Sequence, residues 1–374
     1  MESIIIISPW VGRIGPNTFI TGFIRENLFH GNKITILYPF KDKISEDFSE
    51  RGCNVIYVKS LMLSHVSNIY LKIARRFLSE ALLFFIFPFL LMRKRYTFCL
   101  VNTELLSFSL ILPSLFVKLI TIVHSLSFEA SSLSKFVFRI QHLIIYKYVA
   151  VSKAVKDSLV KCGVRRPIHM VYNGLNLNEF VPVGVVMRDE KIINIITVIH
   201  SLPHKGAHYL LEVLKQVVLL QKNFHCTIIG WGSPQHDNEY KRMIEDKAVL
   251  DNLQQYITFK GSTDSMHYEY SNADILLHPS ESESFGYVLI EAMASRLPVI
   301  AFAVGGMTEI VEDQVSGRLI KPYDVNMMAA AVIDQIRNAA LRKQYGIAGR
   351  AIVEEKFNLN TNMRKINELI KQSH

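Results

Sequence analysis

Short apolar runs alternate with amphipathic stretches along this whole 374-residue chain, and that alternation limits the fold more than any other feature. A strand buried on both faces reads as a continuous apolar run, and the crossover that follows it reads at helical period. Apolar runs at 4–8, 33–38, 55–58, 98–101, 120–124 and 148–152 predict one series of strands, with helices between several of them, as at 18–29 and 153–161. A second series is predicted at 193–198, 226–229, 257–259, 275–278, 299–303 and 317–320. The class is α/β: two Rossmann-like doubly wound domains facing each other, which puts a ligand cleft at the carboxyl ends of their strands. The segment 180–184 and the charged patch 188–191 read as the linker.

The remaining numbers narrow the function. With 49% apolar and 20% charged residues the chain is globular, and disorder is excluded. The balance of 42 Lys+Arg against 33 Asp+Glu, a net +9, favours anionic partners. No nucleic-acid module signature appears, so nucleotide-sugars and lipid headgroups are the partners left to weigh. Four scattered cysteines without a CxxC pair read as reduced thiols of a cytoplasmic protein. The start has an acid where a signal peptide needs a cation, and its apolar run is too short. Residues 81–92 are apolar throughout but shorter than a membrane span, contain Pro88 and are flanked by basic residues. Two readings stay open there: a segment meeting an anionic membrane surface, or a core helix followed by a basic loop.

The chemistry concentrates in 278–291, HPSESESFGYVLIE. A strand end, a polar loop and a helix start near Gly286 follow one another. The unpaired N–H groups of a helix start suit an anion, and Gly286 permits close approach. Glu283 lies in the loop; Glu291 lies within an apolar helical run, where an unpaired charge is costly. Capping or a solvated surface is the structural alternative for this pair. Lys205, followed by a glycine after the strand ending at Val198, supplies a cation. No carboxylate pair in a strand-end loop is spaced to hold a divalent ion on a diphosphate, so metal independence is expected.

The ordered set resembles the retaining GT-B glycosyltransferases of family 4, glycosyl transferases group 1. It comprises Glu283-x7-Glu291, Pro298-Val299-Ile300-Ala301, Gly305-Gly306-x-x-Glu309, Val171-Tyr172-Asn173-Gly174, Lys205-Gly206, Gly230-x-Gly232 and Phe259-x-Gly261. The resemblance implies a GT-B fold with an acceptor-side domain at 1–173, a donor domain at 174–357 and a final helix within 358–374 returning to the first. It implies transfer of a hexose from a nucleoside-diphosphate sugar, UDP ahead of GDP, to a glycan hydroxyl with retained configuration. The expected setting is bacterial surface polysaccharide synthesis (O-antigen, capsule or lipopolysaccharide) on a lipid-linked acceptor, peripheral on the inner membrane face.

By the same resemblance, Glu283 holds hydroxyls of the transferred sugar, and Ser284, Phe285, Gly286 and Tyr287 touch sugar and phosphate. Glu291 holds the ribose and Lys205 neutralises the diphosphate. His124 faces the donor sugar from the first domain. Gly12 and Gly15 form a loop near the diphosphate, and Gly232 lines the base pocket. The chain departs from the pattern at His200, where the family places Arg, and at Asn176 and Arg296. Two rivals stand beside this reading: a nucleotide-sugar epimerase, and a catalytically silent sugar-nucleotide-binding protein of the same fold.

Overall fold

The computed structural model describes residues 2–9, 15–58, 84, 87–89, 91, 96–102, 110–126, 141, 143–180, 192–232 and 238–372. Most of the 81–92 stretch, nearly all of the linker and Gly12 lie outside the described residues. The chain divides into two units, one of 1–174 with 359–374, the other of 175–358.

The first unit holds a seven-stranded sheet in the order β3-β2-β1-β4-β5-β6-β7, every neighbouring pair parallel. Its strands are β1 (Ser3–Ile7), β2 (Lys33–Tyr38), β3 (Asn54–Tyr57), β4 (Phe98–Val101), β5 (Lys118–Val123), β6 (Ile145–Ala150) and β7 (Ile168–Met170). β1 is central and covered on both faces, which is why it needs the unbroken Ile4, Ile5, Ile6 and Ile7. Helix α1 (Gly15–Phe29) follows it, and α2 (Lys43–Glu50) follows β2, opened by a reciprocal Asp42–Ser45 cap. Helix α3 (Lys153–Lys161) follows β6.

Six parallel strands make the second sheet, ordered β10-β9-β8-β11-β12-β13. They are β8 (Ile193–Val198), β9 (Phe224–Ile229), β10 (Ile257–Lys260), β11 (Ile275–His278), β12 (Val299–Phe302) and β13 (Gly317–Ile320). Helices α4 (Ala207–Leu220), α5 (Asn238–Leu250), α6 (Met266–Ser271), α7 (Tyr287–Ala294), α8 (Met307–Ile310), α9 (Val325–Arg337) and α10 (Ala339–Lys356) connect and cover them. The chain then returns to the first unit as α11 (Leu359–Lys371), which packs on α1. Gly22 lets it do so, since a Cβ there would lie 2.6 Å from Leu359 Cδ1. Among the described residues no helix is long and apolar enough to cross a membrane.

The predicted strands sit within a few residues of the observed ones, and three details are corrected. The sequence reading has no β7, a three-residue strand without a distinctive pattern. His124 follows β5 and is not part of it. Gly15, expected in a loop, is the first residue of α1.

Candidate functional site

In a doubly wound sheet the ligand crevice opens where neighbouring strands send their crossovers to opposite sides. In the second unit that point lies between β8 and β11, paired through Ile275 and Leu276. Lys205 follows β8 in a one-turn helix, Pro203–Lys205, and Glu283 follows β11. Across 78 positions of sequence, Lys205 Nζ donates to Glu283 Oε1 at 2.6 Å. Nε2 of the buried His278 lies 3.2 Å from the same oxygen. Burial alone would raise the Glu283 carboxyl; Lys205 and His278 outweigh it and hold the carboxyl down to about 2.

The loop carrying Glu283 is fixed from both sides. The Glu281 N–H and the Ser280 hydroxyl donate to the His204 carbonyl at 3.0 and 3.3 Å. The Gly306 N–H donates to the Glu283 carbonyl at 2.9 Å. Glu281, which drew no attention in the sequence, meets His208 Nε2 at 3.4 Å, and His208 Nδ1 lies 2.8 Å from the Tyr240 hydroxyl. Gly286, at φ +109°, is the residue before α7, and Phe285 is buried against Tyr287 and Phe357.

Glu291 sits on the second turn of α7, and the buried Tyr270 hydroxyl donates to its Oε2 at 2.9 Å. That contact answers the cost of a carboxylate in an apolar run. Two buried polar atoms of the segment, His278 Nδ1 and the Tyr287 hydroxyl, have no hydrogen-bond partner among the described residues. His200 Nδ1 lies 3.4 Å from the Gly230 carbonyl, and burial lowers its pKa, so it is neutral at pH 7. Gly232 turns the chain after β9 at φ +76°, beside Lys241.

The first unit carries a separate polar cluster at its own β1/β4 switch point. Asn102 Nδ2 donates to Ser8 Oγ at 3.1 Å and to the Pro16 carbonyl at 3.2 Å. Its Oδ1 lies 2.8 Å from His124 Nε2. With the amide nitrogen committed, that oxygen accepts, which assigns the proton of His124 to Nε2. Burial pushes the imidazole down to about 3, so it is neutral, and its Nδ1 lone pair has no partner among the described residues. Ser8 and Asn102 escaped the sequence reading, because polar residues just after strands look like ordinary caps.

The depressed Glu283 carboxyl predicts acid sensitivity. Its folded-state pKa near 2 lies below the 4.5 of a free glutamate, so its contribution is complete above 4.5 and is lost as pH falls toward 2. Following Trp231 fluorescence through acid unfolding checks this. Glu283→Gln should flatten the stability curve of the second unit in that window, and an unchanged slope would contradict the assignment.

Two doubly wound parallel sheets in succession are the architecture of the GT-B fold. Residues 187–352, most of the second unit, match the sequence profile of the family "Glycosyl transferases group 1". The chain is 30% identical over 177 residues to the poly(ribitol-phosphate) alpha-N-acetylglucosaminyltransferase of Staphylococcus aureus, covering 47% of this chain and 34% of that one. It is 28% identical over 153 residues to the capsular polysaccharide biosynthesis glycosyltransferase CapM of Staphylococcus aureus, covering 41% and 39%. These matches span well under two thirds of either relative's length. The crystal structure of Anabaena HepE in complex with UDP and glucose superposes with a TM-score of 0.80 over 99% of this chain and 100% of that one, at 18% identity.

Proposed function

We propose that the protein transfers a hexose from a nucleoside-diphosphate sugar, UDP-linked before GDP-linked, to a glycan hydroxyl, with retention and without a metal ion. The observation that carries this reading is the Lys205–Glu283 pair beside the glycine-capped start of α7. In this reading Lys205 leaves Glu283 for the diphosphate, joined there by the first N–H groups of α7. Glu283 then accepts hydrogen bonds from sugar hydroxyls, with His278 still holding it ionised. Glu291 accepts from the ribose. Among the described residues His124, neutral and with a bare Nδ1, is suited to accept a hydrogen bond from the sugar and not to act as a cation. The anomeric carbon–oxygen bond to phosphate breaks as the acceptor oxygen attacks from the same face. The acceptor's proton passes to the departing phosphate oxygen, so no protein nucleophile is needed. The acceptor is a lipid-linked saccharide of surface polysaccharide synthesis, a setting the capsular and poly(ribitol-phosphate) relatives support.

The test combines thermal-shift screening against UDP, GDP and ADP and their sugars with detection of product. UDP and one UDP-sugar should raise the unfolding midpoint. Nucleoside diphosphate should be released only when acceptor is present, and product should keep the donor's anomeric configuration in NMR. EDTA should leave the rate unchanged, and loss of turnover in EDTA restored by Mg2+ would end the metal-free reading. His200, in the place of the family's Arg, favours a silent sugar-nucleotide binder. His124→Ala decides between the two: lost turnover with donor binding kept supports the transferase, whereas donor binding with no turnover in the wild type supports the silent binder.

A further inference from the structure

The charge of this chain is divided unevenly. The first unit carries 25 Lys+Arg against 11 Asp+Glu, the second 17 against 22. The whole net +9 therefore comes from the first unit, and the second is acidic. Because the sheet is parallel, the residues preceding each strand gather along one edge. At the amino edge of the neighbouring strands β5, β6 and β7 stand exposed Lys118, Arg165 and Arg166. Large apolar side chains share that edge, just ahead of β5 and β6: Leu115 is 75% exposed, Phe116 59% and Leu143 73%.

Tyr146 joins the two kinds of residue. The ammonium groups of Lys118 and Lys147 lie 5.1 and 5.5 Å from its ring centroid. Among the described residues of 96–126, 141–156 and 163–172 there is no Asp or Glu. Sites that read nucleic acid stack flat aromatic rings on bases and track a phosphate groove, whereas exposed leucines do neither. Exposed aliphatic and aromatic side chains beside exposed basic groups match the boundary of a bilayer with an anionic surface.

We propose that this amino edge of the first sheet docks on anionic lipid. Leu115, Phe116 and Leu143 enter the headgroup boundary, and Lys118, Arg165 and Arg166 lie against the lipid phosphates. The inference stands on charge and exposure and does not depend on the transferase reading. It also fixes an orientation. The carboxyl edge of the same sheet, where His124 follows β5, is held off the membrane by the length of a six-residue strand, about 20 Å. On the transferase reading, a lipid-borne acceptor therefore carries several sugars between its lipid and its reacting hydroxyl.

The full chain is to be floated with vesicles of phosphatidylcholine alone and of phosphatidylcholine with a third phosphatidylglycerol. Binding is expected to the anionic vesicles only and to fall with salt. K118Q/R165Q/R166Q should weaken it by about a hundredfold, from three lost lipid contacts. L115S/F116S should also release the protein, while thermal unfolding and UDP binding stay at wild-type values in both variants. All four native cysteines are buried, so Leu115→Cys and Ser125→Cys can each be labelled with a fluorophore. Lipid-borne nitroxides should quench the first label and spare the second. Equal binding to neutral vesicles, unchanged binding by both variants, quenching at 125 alone, or concentration-dependent dimers that the variants abolish would each overturn the proposal. Turnover on a lipid-linked monosaccharide would overturn the orientation, whereas no turnover on any acceptor would instead count against the transferase reading.

Discussion

Lys205→Ala should lower turnover by about a hundred- to a thousandfold, because removing one preorganised donor from a site of developing charge has an effect of that size. The geometry makes a second effect inseparable from the first. Lys205 and His278 are what hold Glu283 ionised against the pull of burial. Without Lys205, burial gains, the Glu283 carboxyl rises, and an acid limb appears in the pH–rate profile where the wild type has none. Lys205→Arg keeps the charge but replaces a compact ammonium with a planar fork, so it should recover only part of the rate. The pair acts as a unit, and the losses in Lys205→Ala and Glu283→Gln should fall well short of additive in the double variant. Single-turnover rates with saturating donor, alongside UDP affinity, separate the parts. A Lys205→Ala enzyme with wild-type turnover and only weaker UDP binding would remove Lys205 from the reaction and leave it as an anchor.

That pair shows where sequence is informative and where it stops. Glu283 and Lys205 are both visible as unusual residues after strands, since a doubly wound sheet collects chemistry at its carboxyl edge. Their contact is not visible, because it depends on β8 and β11 becoming neighbours across 78 residues. Glu291 gave a sharper hint: a carboxylate in an apolar helical run needs a partner, although nothing in the chain named Tyr270. The strands were legible because Ile, Leu and Val runs have few other uses in a globular chain. β7 was not, since Ile168-His169-Met170 is too short to show a period. Asn102 is the clearest omission. Its role lies in sharing its amide between Ser8, Pro16 and His124, a property of three dimensions that a lone Asn after a strand does not announce.

Gly206→Ala should be the most destabilising single-methyl change in the second unit, for two reasons that add. Gly206 is at φ +78°, a conformation that L side chains rarely adopt. A Cβ there would also lie 1.9 Å from the Pro279 carbonyl oxygen, an atom of backbone that no rotamer change can move aside. The loop bearing Glu283 would have to shift as a whole, breaking the hydrogen bonds from Ser280 and Glu281 to His204. Costs of about 3 kcal/mol or more are expected for combined strain and overpacking, enough to lower the unit's midpoint by roughly 10 °C. The two other glycines of the site separate those terms. Gly286 has φ +109° but its nearest new contacts are side-chain atoms at 3.6 Å, so Gly286→Ala brings strain alone. Gly306 has an ordinary helical φ of −65° but a Cβ would meet the Ser284 carbonyl oxygen at 2.6 Å, so Gly306→Ala brings crowding alone. Midpoints should therefore fall most for Gly206→Ala and less for either of the others. If Gly206→Ala instead unfolds near the wild-type temperature, the close approach of the Lys205 turn to the Glu283 loop is not a fixed feature of the fold. The Lys205 turn and the Glu283 loop would then be brought to their working places only by the bound donor.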